Sequence, residues 1–189
     1  AERYQTVYAD SAKRTAVAAP TAGLHFTPEL LEQLERRDHP IHDLTLSVGL
    51  GTFRPIETER VDDHPMHGET YLLPPAAKAA LRESGPPRLA VGTTTVRAIE
   101  HHLAQGEDNE PGSPTRAEAN LFIRPPYSFR GVDALLTNFH LPGSTLLCLV
   151  AAFLQNEGKD GLKSLKNLYA QALDDDYRFY SYGDAMLVL

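Results

Sequence analysis

Cysteine is nearly missing from this chain, with one in 189 residues. A single thiol excludes an intramolecular disulfide framework and fits a reducing, cytoplasmic compartment. Positive charge is also short: 18 Lys and Arg stand against 25 Asp and Glu, a net −7. That balance argues against a chain that coats nucleic acid by bulk charge, while leaving room for a local basic site. No apolar run approaches the roughly 20 residues needed to cross a bilayer, so a membrane span is not expected. The most apolar stretch, Leu146 to Leu154, reads instead as a buried helix. There is no initiator Met, and no apolar signal core follows Ala1-Glu2-Arg3-Tyr4. The expectation is a processed or excised piece without a secretory leader. What is present is ordinary globular composition, 42% hydrophobic and 23% charged, which excludes wholesale disorder.

The length suits one large domain or two small ones, and no internal boundary stands out. Thr27-Pro28-Glu29 predicts a helix start, with Thr as N-cap and Pro at the first helical position. Leu44, Leu46 and Val48 alternate with Thr45 and Ser47, a strand pattern. Pro74-Pro75 opens a second helix that runs through Leu81. Leu89-Ala90-Val91 is a short interior strand, followed directly by Gly92-Thr93-Thr94-Thr95 and a helix to Leu103. Residues 105–119, rich in Gly, Pro and acids, predict a flexible surface loop. Leu121-Phe122-Ile123 and Val132 to Leu136 read as strands. Ser144 caps an apolar helix to Leu154, and leucine spacing predicts another from Leu162 to Leu173. Tyr177 to Tyr182 alternates, and Met186 to Leu189 is a final strand. The alternation of helices and strands predicts one α/β domain over 1–189, with a mainly parallel sheet flanked by helices.

Four segments look built for more than packing. Pro20 to Thr27 places small residues and His25 just before a helix N-terminus, as a ligand loop or a plain helix cap. Val48-Gly49-Leu50-Gly51-Thr52-Phe53-Arg54 ends a strand with two glycines, where α/β sheets place ligands, and Arg54 could pair with a carboxylate or phosphate. No third glycine follows, so this is not a dinucleotide fingerprint. Gly92-Thr93-Thr94-Thr95-Val96-Arg97 offers backbone donors, hydroxyls and a guanidinium at a helix start, or simply caps that helix. It lacks the lysine and spacing of a phosphate-binding P-loop. Leu136 to Thr145 frames Asn138 and His140 between a strand and a helix, and its polar groups point to function rather than loop filler.

Eight histidines invite a metal reading. None of the pairs His39/His42, His64/His67 and His101/His102 forms His-Glu-x-x-His, and no Cys pair exists; His64 and His67, beside Asp62, Asp63 and Glu69, could form a ligand cluster, though solvated loop histidines are more common. Cys148 lies in an apolar helix and reads as a small buried hydrophobe.

Taken in order, these segments resemble the S-adenosylmethionine:tRNA ribosyltransferase-isomerase family of queuosine biosynthesis. The stretches that carry the resemblance begin with Glu2 to Tyr8, Ala18 to Thr27, Val48 to Pro55, Met66-His67 and Val91 to Thr94. They continue with Val96-Arg97, Thr137 to Pro142, Ser144 to Leu147, Tyr177-Arg178-Phe179 and Tyr182 to Met186. The resemblance implies transfer of the ribosyl part of S-adenosylmethionine onto 7-aminomethyl-7-deazaguanine in tRNA. The ribose is isomerised to an epoxycyclopentane, giving epoxyqueuosine, with adenine and methionine leaving. S-adenosylmethionine is a co-substrate, and no metal is implied. A sulfonium acidifies the adjacent ribose carbon, so a base is needed there and an amine must be held in line. His25 and His140 are the candidate acid–base groups, with His67 in reserve. Thr93, Thr94, Arg97 and Asn138 would hold polar parts of S-adenosylmethionine. Gly49, Gly51 and Thr52 would let backbone approach it, Arg54 would meet RNA or a carboxylate, and Asp184 would orient an amine or shape a turn.

The resemblance covers the C-terminal half of family members. An N-terminal α/β portion and an inserted β-barrel lie outside it, so a missing half or a second copy is the expected partner besides tRNA. The family's Gly-Trp-Thr-like element is replaced here by Glu118-Ala119-Asn120. Acids cluster at 57–69, 107–118 and 174–176, which leaves Arg54, Arg97, Arg124 and Arg130 as the candidate RNA side. Two other readings compete: an inactive module that binds only nucleotide or RNA, and a metal-dependent hydrolase built on the histidine pairs.

Overall fold

The computed structural model describes residues 4–10, 18–49, 55–106 and 112–189. A 3-10 turn, Thr21–His25, leads into α1, Pro28–Arg36, where the Thr27 hydroxyl accepts the Leu30 N–H at 3.2 Å. Then come β1 (Thr45–Ser47), β2 (Glu69–Leu73), α2 (Pro75–Arg82), β3 (Leu89–Val91) and α3 (Thr93–Ala104). The order closes with β4 (Thr115–Ala119), β5 (Ala134–Asn138), α4 (Thr145–Leu154), α5 (Gly161–Asp174) and β6 (Ala185–Val188). Side-chain caps start the last two helices: Ser144 accepts from Leu147 N–H at 3.3 Å and Asp160 from Lys163 N–H at 3.1 Å.

The strands form two three-stranded sheets, ordered β1-β2-β4 and β3-β5-β6. The first is antiparallel throughout, with Leu46 opposite Tyr71 and Tyr71 opposite Ala117. In the second, β3 and β5 run parallel, with Ala90 opposite Leu135, and β6 pairs antiparallel to β5. The α/β class therefore holds, but a mainly parallel sheet does not: β3–β5 is the one parallel pair among the described strands.

Three local expectations are corrected. The loop expected at 105–119 ends in a strand. In Thr115-Arg116-Ala117-Glu118-Ala119 the inward residues are Thr115, Ala117 and Ala119, so its pattern carries too little apolar mass to register in the sequence. Its partner β2 begins on Glu69, inside what reads as an acidic surface stretch. Residues 121–123 are irregular although Ile123 is buried, and 177–182 form no strand, being irregular to Phe179 and turning at 180–182.

Each sheet has its own core. Ala90, Val96, Leu135, Leu149, Val150, Leu165 and Val188 pack on one side, and Tyr71, Leu73, Ala77, Ala98 and Ala119 on the other. Helix α3 divides them, giving Val96 to the first core and Ala98 to the second. An ion pair between Arg97 of α3 and Glu69 of β2, both almost fully buried, ties the two halves.

Candidate functional site

The parallel strands β3 and β5 end side by side, and a helix starts just after each. Ligands of α/β sheets bind outside such carboxyl ends, where helix N-termini present unpaired N–H groups. Gly92 makes the turn into α3 at φ 93°, a conformation that strains residues with a side chain. Its N–H donates to Leu136 C=O at 2.8 Å, locking the turn to β5.

A cavity of about 240 Å³ opens at this point. Thr93, Thr94 and Thr95 form one wall, and Thr137, Asn138 and His140 the next. Thr21 and Ala22 of the 3-10 turn, Leu44, Leu46 and Val48 around β1, and Tyr180 and Ser181 also line it. Among the described residues that line it there is no Arg, Lys, Asp or Glu. Hydroxyls, an amide and an imidazole supply the polarity against an apolar wall.

Asn138, 3% exposed, is fixed by the Thr21 hydroxyl, which donates to its Oδ1 at 3.0 Å, while its Nδ2 reaches Asp184 C=O at 3.5 Å. His140 is held twice. Its backbone N–H donates to the Tyr169 hydroxyl at 2.9 Å, and its ring Nε2 lies 2.9 Å from the Thr137 hydroxyl. Burial pushes its pKa down to about 4. The ring is therefore neutral at physiological pH, able to accept a proton but weakly basic.

Of the residues expected from sequence, Thr93, Thr94, Asn138 and His140 meet at this cavity. The other described ones do not line it. Arg97 sits in a narrow slot beside it, together with Met66 and Phe122, and its charge is spent on Glu69. Asp184 is occupied by Arg178, whose N–H and Nη2 donate to its two oxygens at 2.7 and 2.8 Å. Those hydrogen bonds pull the carboxyl down to about 2, the behaviour of a turn clamp. His25 is exposed and adds only a minor favourable charge to Asp184, and His67 is exposed ahead of β2. Gly49 is exposed beside Val48, and Gly51, Thr52 and Arg54 lie outside the described residues. Thr137, Tyr180 and Ser181 are absent from the sequence-derived set. Thr137 belongs to the Thr137 to Pro142 stretch, where Asn138 and His140 draw the attention, whereas Tyr180 and Ser181 in a turn carry no motif and only the fold brings them here. No group of three or more His, Cys, Asp or Glu among the described residues could hold a metal ion. Burial raises the Cys148 thiol, which opposes a nucleophilic role.

The family profile described as "Queuosine biosynthesis protein" matches residues 1–188. The chain belongs to the queuosine biosynthesis protein family. Within that family it is 52% identical over 190 residues to an S-adenosylmethionine:tRNA ribosyltransferase-isomerase of Geobacter metallireducens, covering 99% of this chain and 52% of the relative. The enzyme of the same name from Thermotoga maritima is 50% identical over 191 residues, covering 100% and 53%. This queuosine-family chain thus spans about half the length of the curated relatives it matches. A crystal structure of S-adenosylmethionine tRNA ribosyltransferase from Thermotoga maritima superposes with a TM-score of 0.69 at 41% identity, over 89% of this chain and 51% of that one. Among the described residues, no helix is long and apolar enough to cross a membrane.

Proposed function

We propose that this chain carries the S-adenosylmethionine cleft of a tRNA ribosyltransferase-isomerase. In this reading the ribosyl part of S-adenosylmethionine passes to 7-aminomethyl-7-deazaguanine in tRNA and is isomerised to give epoxyqueuosine, releasing adenine and methionine. Membership of the family supports it. The observation that carries it is the meeting of Thr93, Thr94, Asn138 and His140 at the adjacent ends of β3 and β5.

The donor set suits such a ligand. A sulfonium cation meets no fixed positive charge among the described lining residues. The starts of α3 and α4 favour a carboxylate, and Asn138 and the threonines can take ribose hydroxyls. At about 240 Å³ the cavity is smaller than most ligand sites, which run roughly 300–1,000 Å³, so it takes one part of the molecule. The remaining half of the family's length, or a second copy of the chain, would supply the rest.

His140 is the acid–base group of this proposal because, of the three candidate histidines, it alone lines the cavity. As a neutral, weak base it removes only an acidified proton, such as one on the ribose carbon beside the sulfonium. The Thr137 hydroxyl orients its ring through Nε2, and the Tyr169 hydroxyl anchors its backbone. No metal enters the scheme, and a cytoplasmic location fits a tRNA substrate.

The test is adenine release from S-adenosylmethionine with tRNA bearing 7-aminomethyl-7-deazaguanine. It is run with this chain alone and with the chain joined to the N-terminal half of a family member. Release that falls at least about 100-fold in His140→Ala is the expected outcome, in the range typical of general acid–base groups. No release from either form would leave a module that only binds nucleotide or RNA.

A further inference from the structure

Three described non-glycine residues adopt positive φ: Asp38 at 57°, Asp176 at 59° and Tyr180 at 72°. Each aspartate lies just past the C-terminus of a helix, and short polar side chains tolerate this region. A tyrosine has no such excuse. Bulky residues are held there only when their surroundings over-determine the backbone, and such residues cluster at ligand sites.

The surroundings of Tyr180 do so. Its N–H donates to Phe139 C=O at 3.0 Å, next to His140, and its own C=O accepts from Gly183 N–H at 3.0 Å. The loop is closed at its base by Asp184, whose N–H donates to Arg178 C=O at 2.7 Å while its carboxylate takes the Arg178 guanidinium. Gly183 lies so close to the carbonyls of Arg178 and Phe179 that any side chain there would collide with backbone. The backbone is thus fixed from both sides, yet the side chain is left out: Tyr180 is 53% exposed at the edge of the cavity.

Its neighbours behave differently. Tyr177 packs against Phe139 with ring centres 5.9 Å apart, and Tyr182 pairs with Tyr4 at 5.5 Å. Among the described residues Tyr180 has one ring contact, a distant edge approach to Phe179 at 6.4 Å. It is a half-exposed aromatic on a backbone fixed from both sides, lining a hydroxyl-rich cleft. That is the arrangement of a stacking platform, which suits a flat heteroaromatic ring.

We propose that Tyr180 stacks on a purine-type ring at the mouth of the cleft, an inference that rests on the reading of that cleft given above. The ring is either the adenine of S-adenosylmethionine or the deazaguanine of the RNA; both present the same flat surface.

The experiment is calorimetric titration of the 189-residue chain with S-adenosylmethionine, with adenosine and with 7-aminomethyl-7-deazaguanine, alongside thermal unfolding. Tyr180→Leu should weaken binding roughly 5- to 100-fold, the range for loss of one stacked base. Tyr180→Phe, which keeps the ring, should stay within about twofold. If adenosine and S-adenosylmethionine lose affinity, the ring is adenine; if only the deazaguanine does, it is the RNA base. Tyr180→Asn, which tolerates positive φ, should unfold at or above the wild-type temperature while losing the same affinity. Unchanged affinity in Tyr180→Leu overturns the platform and leaves the cleft reading intact. No binding of any of the three by the wild-type chain overturns the platform too, and adenine release then decides the enzyme reading separately. A fall of about 5 °C or more in Tyr180→Asn would show that the tyrosine serves the fold, which also overturns it.

Discussion

His140 concentrates the residue-scale argument. Its pKa falls from 6.5 to about 4 because burial disfavours the imidazolium. Above pH 6.5 the folded and unfolded chains both carry it neutral, and it contributes nothing to pH dependence. As pH drops below 6.5 the unfolded chain takes up a proton that the folded one refuses, so stability is lost progressively down to about pH 4. The loss amounts to about 3 kcal/mol. Urea unfolding of His140→Asn should show a flatter stability curve between pH 6.5 and 4; a slope identical to wild type would mean the ring is not desolvated. Asp184 acts in a different window. Its carboxyl is lowered from 3.8 to about 2 by Arg178, so the stability it contributes is present above pH 4 and fades as pH falls towards 2. Substituting Arg178→Leu should move the Asp184 titration, followed by carboxyl NMR shifts, back up towards 4. The sequence marked both residues as chemical. It could not separate them, because a cleft wall and a turn clamp are both polar residues in short loops.

Helix α3 is the element that organises the site. Its N-terminus lines the cleft, Arg97 in its second turn holds Glu69 of β2, and Glu100, fully buried, holds the approach to β5. The Glu100 carboxylate accepts the N–H groups of Arg130 and Gly131 at 3.0 and 2.9 Å and the Tyr127 hydroxyl at 3.2 Å. Burial, reinforced by that carboxylate, pushes the Tyr127 hydroxyl up to about 12. Removing one partner of a buried ion pair takes its counter-charge from the other. Arg97→Met should therefore cost about 3–5 kcal/mol in denaturant unfolding, with much of the loss recovered in the Arg97→Met, Glu69→Leu double variant. A loss below about 1 kcal/mol would place Arg97 in solvent or in the ligand site. Helix α3 was legible from Gly92 and the spacing after it. The destination of Arg97 was not, because its partner β2 begins in an acidic stretch that reads as surface.

At the scale of the molecule, the sequence shows where helices begin better than how strands pair. Thr27, Ser144 and the Pro74-Pro75 pair announce helix starts locally, whereas the pairing of β2 with β4 depends on residues more than 40 positions apart. Charge also changes meaning in three dimensions. Arg97 is buried, and Arg124 is paired with Asp62 of the acidic stretch, which leaves Arg130 as the exposed member of the expected RNA side among the described residues. Few phosphate contacts give a shallow salt dependence, so log affinity of this chain for tRNA should fall with log salt at a slope no steeper than about −2. A markedly steeper slope would reveal a basic surface that these residues do not make. The central claim is that the adjacent ends of β3 and β5 hold S-adenosylmethionine, and a crystal structure of the chain grown with that ligand tests it most directly. Ligand density in contact with Asn138 and His140 is the predicted result. Ordered density elsewhere on the chain, with the cleft between Thr93 and Asn138 holding only solvent, would contradict it.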